Sequence, residues 1–431
     1  MTLGRDELLA AGLSFLGHPR LVTAITSVAI GIAVFAHPIR QLSGWAGLVG
    51  ALAVLVVLAA ASIVARWRSI EWRGLLPVSL IVYIAWAGLT LLWSQYQWAT
   101  LWSLLYLGAF TVLALYVALL RDTIQIVRAF GDVLRAALGL SIALEILSGL
   151  LLDTEIRLLG ILGNLEALGP IQGIAGTRNQ LGILAVLALI TFGTEYRTKS
   201  VPRGLAIGSL VAAAIALLLT RSPVAIGGFA VVCVAAAALY GLRRAPDERR
   251  RYWQIAILVI AVIGAGVTWI FRSAIIDLLN AGGELSYRLA IWYQAWSLIG
   301  LHPLEGWGWI GTWQSELPPY SLFQGLSVRS ETSASNTYLD VWLQLGLVGL
   351  VIFLGLVGLA FARSWLLASR RRSVVFAWPA LVLVALLTTA LAESSLLVEF
   401  GWLTFVVCAV KAAEQLSWRQ AFSRTGQPPR P

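Results

Sequence analysis

Runs of about 20 apolar residues alternate with short polar segments along most of this chain, and a run of that length lets a helix cross the ~30 Å hydrocarbon core of a bilayer. By that measure about twelve spans are expected, near 20–36, 45–65, 75–93, 100–120, 127–152, 180–193, 204–220, 223–240, 253–271, 336–361, 373–391 and 396–414. The pattern predicts an all-α polytopic integral membrane protein. Residues 20–414 would form a single transmembrane domain, between a cytoplasmic N-terminal segment (1–19) and a cytoplasmic tail (415–431). Two connections are long, about 153–179 and 272–335. In the second, ELSYRLAIWYQAWSLIG spaces Leu289, Ile291, Trp292, Trp296 and Leu298 as an amphipathic helix lying at the membrane surface. The stretch LHPLEGWGWIGTW that follows is dense in Trp and Gly; it reads first as an interfacial tryptophan belt and second as a surface for stacking on sugars.

Composition narrows the class. The chain is 59% hydrophobic and 12% charged, against roughly 25% charged in soluble domains. Cys233 and Cys408 both sit in apolar runs and read as small buried hydrophobes, so no disulfide or metal site is implied. The first apolar run is followed by further spans, which argues against a cleavable signal. The net charge of +10 raises nucleic acid as a partner, but its distribution argues otherwise. RWRSIEWR, RDTIQIVR, EYRTKSVPR, GLRRAPDERRR and ARSWLLASRRR alternate with connections poor in Arg and Lys. With both termini cytoplasmic, that is the positive-inside pattern, and it explains the basic balance without a polyanion.

The arginines on the opposite side then carry information. They are Arg40, Arg157, Arg178, Arg221, Arg272, Arg288 and Arg329. Arg178 lies in GIAGTRNQLGILAVLALI, at the outer start of a span, and Arg221 in LLLTRSPVAIGGFA, at an outer turn; Arg288 is on the interfacial helix. Each alone reads as an interfacial anchor. Three at similar depth, two of them among Gly, Ser, Thr and Asn, point to an anion. Guanidinium forks match phosphate oxygens, and the spans that begin after Arg178 and Arg221 offer free N–H groups and a positive dipole end. A pyrophosphate at the outer leaflet fits best.

On RNQLGILAVLALI, LLLTRSPVAIGGFA, YRLAIWYQAWSLIGLHPLEGWGW and SNTYLDVWLQLGLVGL, the chain resembles the O-antigen ligase and O-antigen polymerase superfamily of bacterial envelope proteins. The resemblance covers most of residues 170–360. It implies a membrane glycosyltransferase that takes a glycan from a polyprenyl (undecaprenyl) diphosphate carrier. It also implies that Arg221 and Arg288, with Arg178 nearby, engage the donor diphosphate. Ligase-like members carry a histidine directly before the Asn of the N-x-Y-L motif, taken as the base for the acceptor hydroxyl; here that position is Ser335. Either another group is the base, or the chemistry needs none, or the chain is inactive.

Asn336 and Asp340 stand at i and i+4 at the outer mouth of a span. One reading is helix capping, with Ser335 or Asn336 as the N-cap and Asp340 in the first turn. The other gives Asp340 or Glu331 the base role, since a carboxylate near lipid is a better base. Glu145, an acid inside the fifth span, is either functional or paired with an outer arginine. His302, in the HP turn, reads as structural. The expected activity is metal-independent transfer of a glycan to a glycan or glycolipid acceptor, with no cofactor, on the outward face of the bacterial cytoplasmic membrane. The expected catalytic residues are Arg288, Ser335, Asn336 and Asp340. A lipid-linked oligosaccharide flippase and an inactive carrier-binding homologue are the alternatives.

Overall fold

The computed structural model describes residues 18–67, 77–166, 169–244, 246–278, 282–324, 332–371 and 373–415. The expectations for the N-terminal segment up to 17, for Arg329 and Glu331, and for the tail beyond 415 lie outside the described residues. Among those described, the chain is helical, with one isolated bridge between Ile156 and Ile161 and no strand. The helices are α1 (Pro19–Val34), α2 (Ala36–Ala65), α3 (Val78–Leu89), α4 (Gln97–Leu120), α5 (Thr123–Ile146), α6 (Arg178–Thr198), α7 (Arg203–Thr220), α8 (Pro223–Arg244), α9 (Asp247–Ile270), α10 (Arg272–Leu278), α11 (Gly282–Ile299), α12 (Thr337–Arg370), α13 (Ala377–Thr389) and α14 (Glu399–Gln415).

A helix lies at each position where a span is expected. Among the described residues seven stretches are long and apolar enough to cross a membrane: α2, α4, α5 with the turn that extends it to Leu151, α6, α7, α8 and α12. Three apolar stretches, at Pro19–Val34, Val78–Leu92 and Val374–Thr389, are shorter. The chain is a multi-pass membrane protein.

The shortest expected span, 180–193, becomes α6, which runs on to Thr198 and is the most enclosed of the seven, with 72% of its apolar stretch buried. It packs on α5, α7, α8 and α13. Enclosure explains the extension. Glu195, near its C-terminal end, meets Arg135 of α5 in an ion pair, and Arg135 also donates from Nε to the Ser209 hydroxyl of α7 at 2.9 Å. A charged pair tolerated inside protein would be costly against lipid. The outer helices of the bundle do the reverse, turning Val54, Val57, Leu218 and Val234 outward.

Helix α12 is broken at Gly346, whose φ of 69° and ψ of −175° are open essentially only to glycine. The break frees backbone groups that must find partners. The 303–308 loop supplies most of them. Leu347 N–H donates to the Pro303 carbonyl (2.9 Å), while Trp307 and Gly308 N–H donate to the carbonyls of Leu343 and Gln344 (3.0 and 2.9 Å). The Trp86 indole takes the Leu345 carbonyl at 2.9 Å. A Cβ on Gly346 would collide with the Leu304 carbonyl, and one on Gly306 with the Gly346 nitrogen. The Gly-rich HPLEGWGW stretch is therefore a backbone splice into a membrane helix. His302 serves this turn, with Nδ1 3.0 Å from Glu305 Oε1 and its ring edge-on to Trp307.

Helix α11 departs from the expected single apolar face. Ile291, Ala295 and Leu298 are buried in a cluster that includes Leu343 of α12, whereas Leu289, Tyr293 and Trp296 point outward. Apolar residues therefore occupy two sides, one committed to protein and one left to the surroundings.

Candidate functional site

Four segments meet at the N-terminal ends of α6, α11 and α12. The α6 entrance is shaped by Gly173 and Gly176, both at positive φ. A Cβ on Gly176 would run into the His37 ring. Thr177 then caps α6, its hydroxyl accepting from Gln180 N–H at 3.2 Å. Below this turn, Glu145 accepts the N–H groups of Gln172 and Gly173 at 2.9 and 2.8 Å. The intramembrane acid thus holds backbone in place rather than pairing with an arginine.

The α12 entrance is capped by Asn336, whose Oδ1 accepts from the N–H groups of Tyr338 and Leu339 at 3.0 and 3.1 Å. Next to it, Thr337 docks the α13–α14 connection. Its N–H donates to the Ala390 carbonyl (2.9 Å) and its hydroxyl to the Glu393 carbonyl (2.8 Å). Glu393 is thereby fixed over the start of α12.

Between these segments lies a cavity of about 740 Å³ whose lining includes Arg178, Asn179, Glu284, Arg288, Ser335 and Glu393. The polar groups form a closed ring. Arg178 pairs with Glu284; Arg288 Nη1 pairs with the same carboxylate at 3.0 Å; Arg288 Nη2 reaches Glu393 Oε1 at 3.1 Å; and Asn179 Nδ2 donates to that oxygen at 2.6 Å. Arg178 and Asn179 are chain neighbours, which closes the circuit. Arg288 also donates from Nε to the Ala392 carbonyl at 3.2 Å, so its whole planar fork is held. It is only 9% exposed.

The two acids differ. Burial works against ionisation of Glu284, but the hydrogen bond and charge of Arg178 and the charge of Arg288 prevail and hold its carboxyl below the usual carboxylate range. At Glu393 burial prevails, aided by the charge of Glu284, and its carboxyl is raised despite Arg288 and Asn179. Among the described residues Glu393 Oε2 has no hydrogen bond, since both donors use Oε1.

The residues expected from sequence separate into two groups. Arg178, Arg288 and Ser335 line the cavity. Asn336, Asp340 and Arg221 are not among its lining. Asp340 is fully buried, with Oδ1 accepting from the Trp313 indole (2.6 Å) and the Gln344 amide (3.2 Å) and Oδ2 from Ala334 N–H (3.1 Å). Arg221 is exposed at the end of α7; its neighbour Ser222 donates to Asn179 Oδ1 at 2.7 Å. Glu284 and Glu393 were missed. The signal was present in the chain: each is an acid in a connection that the sequence places on the same side as Arg178 and Arg288.

Residues 208–354 match the family model described as O-antigen ligase. No curated protein matches the chain. The matched stretch carries Arg221, Arg288 and Ser335, while Arg178 and Glu393 lie outside it. Over residues 208–354 the chain is therefore similar to the O-antigen ligase family, and the apolar helices around that stretch belong to a multi-pass membrane protein.

Proposed function

We propose that the cavity is where a glycan passes from a polyprenyl diphosphate carrier, of the undecaprenyl type, to a glycan or glycolipid acceptor on the outward face of the bacterial cytoplasmic membrane. The observation that carries this reading is the pair Arg178 and Arg288, held 3.0 Å or closer to a shared carboxylate at the rim of a cavity large enough for sugar units. Two fixed guanidinium groups suit a diphosphate, whose charge grows as the glycosidic C–O bond breaks. Stabilising that charge with groups already in place lowers the barrier without reorganisation. In this reading Arg221, exposed beside Ser222 and outside the cavity lining, acts on the approaching carrier by its charge alone. A single displacement with inversion is the simplest route, and arginines serve as its electrophiles without a metal.

The test is turnover of a synthetic undecaprenyl-diphosphate oligosaccharide in nanodiscs, with envelope glycolipid as acceptor. Arg288→Lys keeps the charge but loses the fork, and is expected to lower kcat/KM by about 10- to 150-fold, for a charged hydrogen bond worth ~1.5–3 kcal/mol. Wild-type turnover that Arg288→Lys and Arg288→Ala leave unchanged overturns the assignment. Wild-type protein that moves the lipid across a bilayer without forming a glycosidic bond marks a flippase, and one that binds it with neither result marks an inactive homologue.

A further inference from the structure

We infer that Glu393 is the general base of the transfer step, its free Oε2 taking the proton of the acceptor hydroxyl as that oxygen attacks. This rests on the glycan-transfer reading of the cavity and goes beyond it by assigning the proton.

Among the described residues three acids stand near the α12 entrance, and geometry separates them. Asp340 has both oxygens occupied by neutral donors and lies outside the cavity lining. Glu284 has both oxygens engaged, Oε1 by Arg178 and Oε2 by Arg288. Glu393 lines the cavity with one oxygen doubly anchored and the other unbonded. An anchored carboxylate with a free oxygen is what a general base requires: orientation from one side, a vacant lone pair on the other. Its backbone is fixed too, through the Thr337 hydroxyl.

The charged groups facing Glu393 are Arg288 and Glu284 of α11, with Asn179 of α6 as the neutral donor. Burial raises its carboxyl toward the range in which a base works at neutral pH. The ring also couples the two halves of the reaction. The acceptor O–H bond breaks and its proton goes to Oε2. The acceptor oxygen bonds to the anomeric carbon, and the electron pair of the C–O bond leaves on the diphosphate. Once protonated, Glu393 no longer holds Arg288 as an ion-pair partner. That guanidinium charge becomes available to the leaving group as its own negative charge appears.

Glu393→Gln tests this in the intact protein. The Gln carbonyl keeps the acceptor for Arg288 and Asn179, while the amide nitrogen replaces only the free oxygen. The expected result is a kcat at least about 100-fold lower, the scale of a lost general base, with the donor KM within about threefold. The fall in wild-type activity on the acid side should begin above the pH of an ordinary glutamate, about 4.3, and vanish from the residual activity of the variant. A variant kcat within about tenfold of wild type overturns the assignment. So does a donor KM that rises as much as kcat falls, which marks Glu393 as a positioning residue for Arg288, and so does an acid limb that persists. Wild-type protein that forms no product overturns the transfer reading and this inference with it, whereas an active wild type and a fully active Glu393→Gln overturn the base alone.

Discussion

Two polar clusters flank the same helix entrance, and they are finished to different degrees. On one side of α12, Asp340, Trp313, Gln344 and Ala334 form a group in which each carboxylate oxygen is used. Gln344 Oε1 also accepts the N–H groups of Ile310 and Gly311 at 2.9 Å each. On the other side, Arg178, Glu284, Arg288 and Glu393 form a ring around open space, with one carboxylate oxygen unused. Both are networks of acids and N–H donors, with Asp340 fully buried in the first and the second only partly buried. The saturated one can only hold shape, because nothing remains to bind. The unsaturated one keeps free valence where a ligand can enter, and a low-dielectric surrounding makes that valence strong. Satisfaction of hydrogen bonds, more than burial or charge, distinguishes scaffold from site here.

The splice at Gly346 underlies the saturated side and gives the largest expected effect. Gly346→Ala places a methyl against the Leu304 carbonyl and forces a glycine-only conformation on a side chain. Strain of ~1–3 kcal/mol adds to the steric clash. The expected outcome is a protein that no longer accumulates folded, read by size-exclusion profile and thermal melting in detergent. A stable, active Gly346→Ala would show that the splice does not support the site.

Asp340→Asn attacks the comparison directly. An amide NH2 cannot accept from Ala334 N–H, so one buried donor loses its partner at a cost of ~1–3 kcal/mol. The melting temperature should fall while the donor KM and the pH profile of the folded fraction stay unchanged. Loss of turnover at an unchanged melting temperature would return Asp340 to the reacting groups and break the distinction drawn here.

The smallest effect is expected at Arg221. Its side chain is exposed, and among the described residues no hydrogen bond or ion pair engages it. An exposed charge contact is worth ~0.2–1 kcal/mol, so Arg221→Ala should raise the donor KM no more than about fivefold, and less at high salt. A loss as large as that of Arg288→Lys would mean that Arg221 moves into the cavity when the carrier binds.

Much of the fold was legible in the chain. A helix lies at each expected span because lipid demands that the backbone satisfy itself locally, and that demand writes itself as contiguous apolar runs. Arg178, Arg221 and Arg288 were legible as candidates because arginines beside such runs, away from the basic connections, are few, but the expected pairing of Arg221 with Arg288 was not what the fold brings to the cavity, whose lining has Arg178 and Arg288. Asn336 was legible as a cap because N-cap chemistry is local, within three residues. The splice at Gly346 was not, since a Gly in a membrane run carries no local mark of a break.

The amino-acid order by itself determined the helical class and the alternation of apolar runs with basic connections, because each follows from neighbours along the chain and from the solvent they meet. Only the tertiary structure decided which acid is saturated and which is free. Asp340 meets Trp313 across 27 residues, and Glu393 meets Arg288 and Asn179 across 105 and 214. Those separations are closed by packing of whole helices, so the hydrogen-bond state of each carboxylate is a property of the assembled bundle and of no stretch of sequence within it.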